Sequence, residues 1–205
     1  PALLVEGYKD ADNVGVFGGF EWRARPWLLL YGQLMLDELR KAELFGDWWG
    51  NKYALQTGIS RDFPNARISL EATAVRPYTY AHFMNHTMYS HDGKPLGYPE
   101  GSNVLDLSLE SNFRLLPYLL WDAQFSFRRR GSEGSNWQDN YHDIIGEEID
   151  TAQATWFAGE KSEEYEVETS LRIPFLAHNS ILLGLNMKHD SDWEHKLFTA
   201  WQFIY

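Results

Sequence analysis

Leu119-Leu120-Trp121-Asp122-Ala123-Gln124-Phe125-Ser126-Phe127-Arg128 decides the fold. Leu119, Trp121, Ala123, Phe125 and Phe127 occupy one side of a period-two pattern. Asp122, Gln124, Ser126 and Arg128 occupy the other. Alternation of this kind describes a β-strand with one apolar and one wet face, because a helix would place its apolar residues three and four apart.

The same period recurs along the chain. Leu28, Leu30, Leu34 and Leu36 share a side with Gly32, against Tyr31, Gln33 and Asp37. Tyr53, Leu55, Thr57 and Ile59 oppose Ala54, Gln56, Gly58 and Ser60, and Ile68, Leu70, Ala72 and Ala74 oppose Arg67, Ser69, Glu71 and Thr73. Leu105, Leu107 and Leu109 oppose Asp106, Ser108 and Glu110. Val167, Leu171, Ile173 and Phe175 oppose Glu166, Glu168, Ser170 and Arg172, and Ile181, Leu183, Leu185 and Met187 oppose Asn186 and Lys188. Leu197, Thr199, Trp201, Phe203 and Tyr205 end the chain, while Leu3 to Tyr8 and Val14 to Arg23 follow the pattern less cleanly. Leu28 to Leu39 has the length of a helix, but its apolar residues fall on every second position. The expectation is an all-β chain of about ten strands without a helix.

Strand length and connection order distinguish a sandwich from a membrane barrel. Soluble strands most often run about 5–6 residues. These run about 10–12, and ~10 residues at ~3.3 Å, tilted ~40°, rise about 25 Å, the height of an outer-membrane barrel's apolar band. Every second connection is a tight turn (Arg25–Pro26, Phe63–Asn65, Leu115–Pro117, Leu176–Asn179), and the intervening ones are usually long (Arg40–Gly50, Pro77–Ser102, Arg129–Glu163), with Asp10–Asn13 and His189–Asp192 the short ones among them. Sorting by parity is expected of an antiparallel transmembrane barrel with short periplasmic turns and long outer loops. A soluble sandwich or lipocalin-like barrel has no reason for it. The last strand, Leu197 to Tyr205, ends flush on an aromatic, as does the C-terminal signal read by the barrel insertion machinery.

Composition sets outer bounds. The 205 residues carry 18 Lys plus Arg against 29 Asp plus Glu, a formal charge of −11 that argues against nucleic acid as a partner. There is no cysteine, hence no disulfide, thiolate metal site or cysteine nucleophile. Mean hydropathy is −0.44 and no apolar run approaches the length of a membrane helix. The 16% aromatic content suits membrane-interface girdles or carbohydrate platforms. Residues 1–205 read as a single domain opening inside a structural element at Pro1-Ala2-Leu3-Leu4, either as mature protein or as the C-terminal part of a longer product.

His82, His86, His91 and Asp92 cluster after Pro77, but the intervening prolines and glycines suit irregular backbone rather than the helical His spacing of a metal site. Asp37, Glu71, Asp106, Glu110, Asp122, Glu166 and Glu168 would supply lumen carboxylates, yet no nucleophile motif accompanies them. No metal, cofactor or catalytic residue is expected. Arg128-Arg129-Arg130 is either a clamp for lipid phosphate or acidic sugar, or a charged strand exit. Trp48-Trp49 reads as girdle anchors or as a stacking platform.

The loop runs Arg76-Pro77-Tyr78-Thr79-Tyr80-Ala81-His82-Phe83, then Met88-Tyr89-Ser90-His91-Asp92-Gly93-Lys94-Pro95-Leu96-Gly97-Tyr98-Pro99-Glu100-Gly101-Ser102-Asn103. It resembles the hallmark of the Wzi-type capsule assembly family, with Tyr98 where a histidine is usual. Leu30 to Glu38 and Asn51 to Gly58 are similar to strands of that family, and the likeness extends over roughly residues 1 to 130. The resemblance implies a non-enzymatic, lectin-like protein of the bacterial outer membrane that binds or organises capsular polysaccharide. It also implies a longer barrel, of which this chain is the C-terminal part. Its partners would be outer-membrane lipid and lipopolysaccharide, capsular polysaccharide, and the insertion machinery through the Tyr205 strand. A diffusion porin and an outer-membrane barrel enzyme are the alternatives. Sugars stack on aromatic rings and accept planar hydrogen bonds, so Tyr78, Tyr80, His82, Tyr89, His91 and Tyr98, with Arg128 and Arg129, are the expected polysaccharide-binding residues. The loop is expected to fold inward over the lumen.

Overall fold

The computed structural model describes residues 15–39, 46–82, 89–92, 94–138, 151–176 and 179–203. Its strands are β1 (Val16–Arg25), β2 (Leu28–Glu38), β3 (Lys52–Phe63), β4 (Ala66–Val75), β5 (Ser90–His91), β6 (Lys94–Pro95), β7 (Val104–Leu116), β8 (Leu119–Gly131), β9 (Lys161–Leu176), β10 (Asn179–His189) and β11 (Trp193–Phe203). Nine of them form one antiparallel sheet in the order β1-β2-β3-β4-β7-β8-β9-β10-β11, and β5 and β6 pair separately as a small hairpin. There is no helix among the described residues. The Leu3 to Tyr8 stretch lies outside the described residues, as do Ile204 and Tyr205.

The sheet is open: among the described residues β1 and β11 are its edges and do not pair with each other. Alternation within a strand fixes which face meets water. It carries no information about which strand pairs with an edge, so closure was beyond the reach of the period-two argument. Nine antiparallel strands also make the two edges run in the same direction.

The registers assemble the alternating faces into continuous rows. On one face Trp22, Leu30, Ile59, Leu70, Leu109, Phe125, Val167 and Met187 lie side by side across eight strands. No described residue packs over Trp22, which is 61% exposed, or Leu70, which is 51% exposed. Aromatic rings flank this aliphatic zone on both sides. Toward the long-loop end, Phe127 and Tyr165 pack at 5.0 Å and His189 and Trp193 at 4.8 Å. Toward the short-turn end stand Trp27, Phe63, Tyr118 and Trp201, all exposed. Trp193 and Trp201 are separated on β11 by about 26 Å of strand, or about 20 Å of height at the usual barrel tilt.

The opposite face is polar and internally paired. Tyr31 donates to Glu71 at 2.7 Å and Gln56 to the same carboxylate at 2.6 Å. Asn186 donates to Glu166 at 2.6 Å and Asn112 to Asp122 at 2.9 Å. Each such cross-strand pair contributes about 0.2–1 kcal/mol and pins the register. Tyr31 also lays its ring over Gly58, where an added Cβ would meet the ring, so a larger residue there would displace Tyr31 from Glu71.

Two details differ from the sequence expectation. β8 and β9 pair three residues further than expected, with Arg129 opposite Glu163, Arg130 opposite Ser162 and Gly131 opposite Lys161, so the third long loop begins at Ser132. The first described strand starts at Val16 and continues to Arg25, because Arg25 still finds Leu28 across the turn after a register shift.

Candidate functional site

The buried residues gather at the long-loop end. The 46–51, 76–82, 89–92, 94–103, 132–138 and 151–160 segments pack together there, above the ends of β2, β3, β4, β7 and β8. Irregular backbone can be buried only if its polar groups find partners. Arg76 and Asn103, at the two ends of the Arg76–Asn103 loop, provide many of them.

Arg76 directs Nε to the Asn51 carbonyl at 3.3 Å and Nη2 to the Ala154 carbonyl at 3.0 Å. Its Nη1 lies 3.8 Å from Asp47, and its guanidinium faces the Trp156 ring at 5.6 Å. One side chain thus ties three loops together. Asn103 donates from Nδ2 to the Glu133 carbonyl at 2.8 Å, and its Oδ1 accepts the Phe157 N–H at 2.7 Å. Its φ of 52° is left-handed, which asparagine tolerates better than most residues.

Between these anchors the backbone is strained. Tyr78 and Tyr80 have φ of 61° and 78°, a region that bulky residues rarely enter. The surroundings hold them there: Tyr78 N–H donates to the Gly134 carbonyl at 2.7 Å, and Tyr80 N–H to Asp37 at 3.4 Å. Ser102 Oγ closes onto the Thr79 carbonyl. The twist turns neighbouring tyrosines into different environments. Tyr78, 1% exposed, goes edge-on to Trp49 at 6.2 Å and donates its hydroxyl to Glu133 at 3.2 Å. Tyr80 turns toward the polar face of the sheet, stacks on Tyr89 at 5.8 Å, and accepts the Tyr98 N–H on its hydroxyl at 3.1 Å.

The expected site residues therefore separate into groups. Tyr80, Tyr89 and Tyr98 come together around a cavity of about 790 Å³. Its floor is the polar face of β1 to β4, with Gln33, Met35, Ala54, Gln56, Thr73 and Val75, and Phe17 closes one side against Tyr89 at 5.7 Å. Tyr78 is buried apart from this cavity. His82 is buried against Asp37, Nε2 to Oδ2 3.2 Å, beside the buried Lys52, which donates to the Ala81 carbonyl at 3.0 Å. His91 is exposed on the β5–β6 hairpin. Among the described residues no three His, Asp or Glu side chains converge as a metal ion would require, and His86 lies outside those residues.

Arg128 and Arg129 are held within the wall. Arg128 contacts Asp106 at 2.8 Å, Glu164 at 2.9 Å and Glu100 at 3.3 Å. Arg130 meets Glu100 at 2.8 Å, and Lys188 meets Glu164 at 2.7 Å. Three cations thus face three carboxylates, leaving no net positive charge. Arg129, on the apolar face, stands 3.7 Å from Glu163 with its guanidinium 4.9 Å from the Phe157 ring.

Burial pushes the Tyr98 phenol well above the ordinary tyrosine value, reinforced by the neighbouring Asp106 carboxylate. Burial raises Tyr80 as well. Both rings stay neutral at physiological pH and remain available for stacking and hydrogen bonding.

Sequence reasoning missed the structural weight of Arg76, Asn103 and Lys52. It also read Trp48 and Trp49 as surface rings, whereas both are buried with Tyr78 and Ala154. The one available signal was polar: an Arg-Pro step directly after an alternating strand, and an Asn directly before the next. Comparison with known proteins finds no matching family, no matching curated protein and no matching solved structure.

Proposed function

We propose that the chain forms wall and plug of a bacterial outer-membrane β-barrel that binds or organises capsular or surface polysaccharide, as a lectin-like binder and not as an enzyme. The observation that carries the membrane part is the bare apolar face. A contiguous aliphatic zone between two aromatic bands needs a partner phase, and its height is of the order of the apolar band of a barrel. In water that face would be an aggregation site, while the opposite face is already solvated and paired. Lipid is the simplest cover for it, with lipopolysaccharide at its outer rim.

In lipid the two sheet edges would also have to close, since unpaired backbone groups there cost several kcal/mol each. Because β1 and β11 run in the same direction, an antiparallel closure takes an odd number of further strands.

The binding part rests on the resemblance and on the loop end. Tyr80, Tyr89 and Tyr98 present ring surface and hydroxyls beside the amides of Gln33 and Gln56, the combination that sugars use. The loop lies over the polar face of the sheet, which favours a covered lumen over a diffusion pore. Tyr89→Ala should reduce polysaccharide retained on cells while leaving the heat-modifiable folded band in detergent unchanged. Loss of the folded band with no separable retention defect would refute the lectin role. Large steady conductance in planar bilayers would refute the covered lumen.

A further inference from the structure

We infer that the cavity lined by Tyr80, Tyr89 and Tyr98 is the glycan subsite, and that it takes uncharged sugar residues. This rests on the polysaccharide reading and specifies its site and ligand class. None of the described residues lining the cavity is charged. That neutrality is local, since the polar face around it is dense in ionised groups and the chain carries a formal charge of −11. Ring surface comes from Tyr80, Tyr89 and Phe17, and amide and hydroxyl groups from Gln33, Gln56 and Thr73. Apolar C–H faces of a pyranose meet the rings, and its hydroxyls meet groups that both donate and accept. The volume of about 790 Å³ falls in the range of small-molecule sites.

An acidic sugar is disfavoured there for two reasons. Carboxylates already stand against the lining residues: Glu71 receives Gln56 at 2.6 Å, Asp37 accepts the Tyr80 N–H at 3.4 Å, and Asp106 sits beside the Tyr98 phenol. A uronate would bring a second negative charge beside them without a counter-ion. The neighbouring cations Arg128 and Arg130 are already matched by Asp106, Glu100 and Glu164.

The experiment presents the full-length protein, purified in detergent, to an immobilised set of neutral oligosaccharides and of uronate-containing or sulfated ones. Preferential binding of neutral glycans is expected. Tyr89→Ala should weaken that binding about tenfold and Tyr89→Phe by no more than about twofold, since the ring supplies the stacking. Gln33→Glu, which puts a charge into the floor, should also weaken it. The folded band on unheated gels verifies assembly of each variant. Preference for acidic glycans, or neutral binding that none of these substitutions alters, would overturn the cavity assignment and leave the polysaccharide reading standing. A folded protein that binds no glycan of either class would overturn both.

Discussion

The sheet and the loop end bury opposite things. In the sheet, leucines and phenylalanines stand exposed in rows while carboxylates, amides and hydroxyls pair with one another across strands. At the loop end, Trp49, Tyr78 and Tyr80 are buried together with Arg76, Lys52, Asn51 and Asn103. The two regions differ because they have different work to do with backbone polar groups. Strand ladders satisfy their own N–H and C=O groups, which frees the side chains to face whatever solvent the sheet is in. Irregular loops cannot do so, and side chains such as Arg76 and Asn103 must be brought inside to complete the hydrogen bonding. The region that looks inverted is the one whose backbone is self-sufficient.

The largest effect that would break this comparison is at Arg76. Arg76→Met leaves the carbonyls of Asn51, Trp48 and Ala154 without that donor, and at about 1–3 kcal/mol for each buried group the loop end should lose at least about 3 kcal/mol. Limited proteolysis should then cut the long loops while the strands stay protected. If the loops resist protease as before, Arg76 is not the tie described.

A smaller effect is expected in the sheet. Leu109→Arg, in the middle of the apolar row, should cost about 2–4 kcal/mol in folding into lipid. Ser108→Arg, next to it on the wet face, should cost far less. Equal penalties would mean that the two faces see the same medium.

How much of this could be read from the chain follows the same division. The alternation of Trp121 to Arg128 and its relatives determined the strands, their faces and the sorting of long loops to one end, because the repeat is local and short. The tie between Arg76 and Ala154 spans 78 residues and ends on a carbonyl, which any residue type supplies, so no pattern records it. The tyrosines were legible as a group by composition. That Tyr78 and Tyr80 would part company depended on two left-handed φ values enforced by distant contacts. The ion cluster around Arg128 was equally hidden, since Asp106 and Glu164 lie opposite it only once the β7–β8–β9 register is known.

The smallest effect is one of pH and sharpens the description of the loop end. Tyr98 and Tyr80 hold their protons more tightly when folded than when unfolded. The folded state therefore binds more protons above the ordinary tyrosine value of about 10, and stability falls as pH rises through that region. Below it the contribution is fully present and flat. Loop-end unfolding followed from about pH 8 to about pH 12 should show this decline, less steeply in Tyr98→Phe. A stability that rises with pH there would reverse the assigned sign.

The central claim is that one face of this sheet meets lipid and the other meets water. The natural chain has no cysteine, so single cysteines placed in turn at positions 121 to 128 report on one site each. In the protein reconstituted in bilayers, substitutions at Trp121, Ala123, Phe125 and Phe127 should resist a water-soluble thiol reagent and be quenched by lipid-borne nitroxide. Those at Asp122, Gln124, Ser126 and Arg128 should not be quenched, and Ser126 and Gln124 should react with the aqueous reagent. A period of two in both signals, in opposite phase, is the predicted result. Free aqueous reaction at the Trp121–Phe127 set, or no period-two signal in lipid quenching, would contradict it.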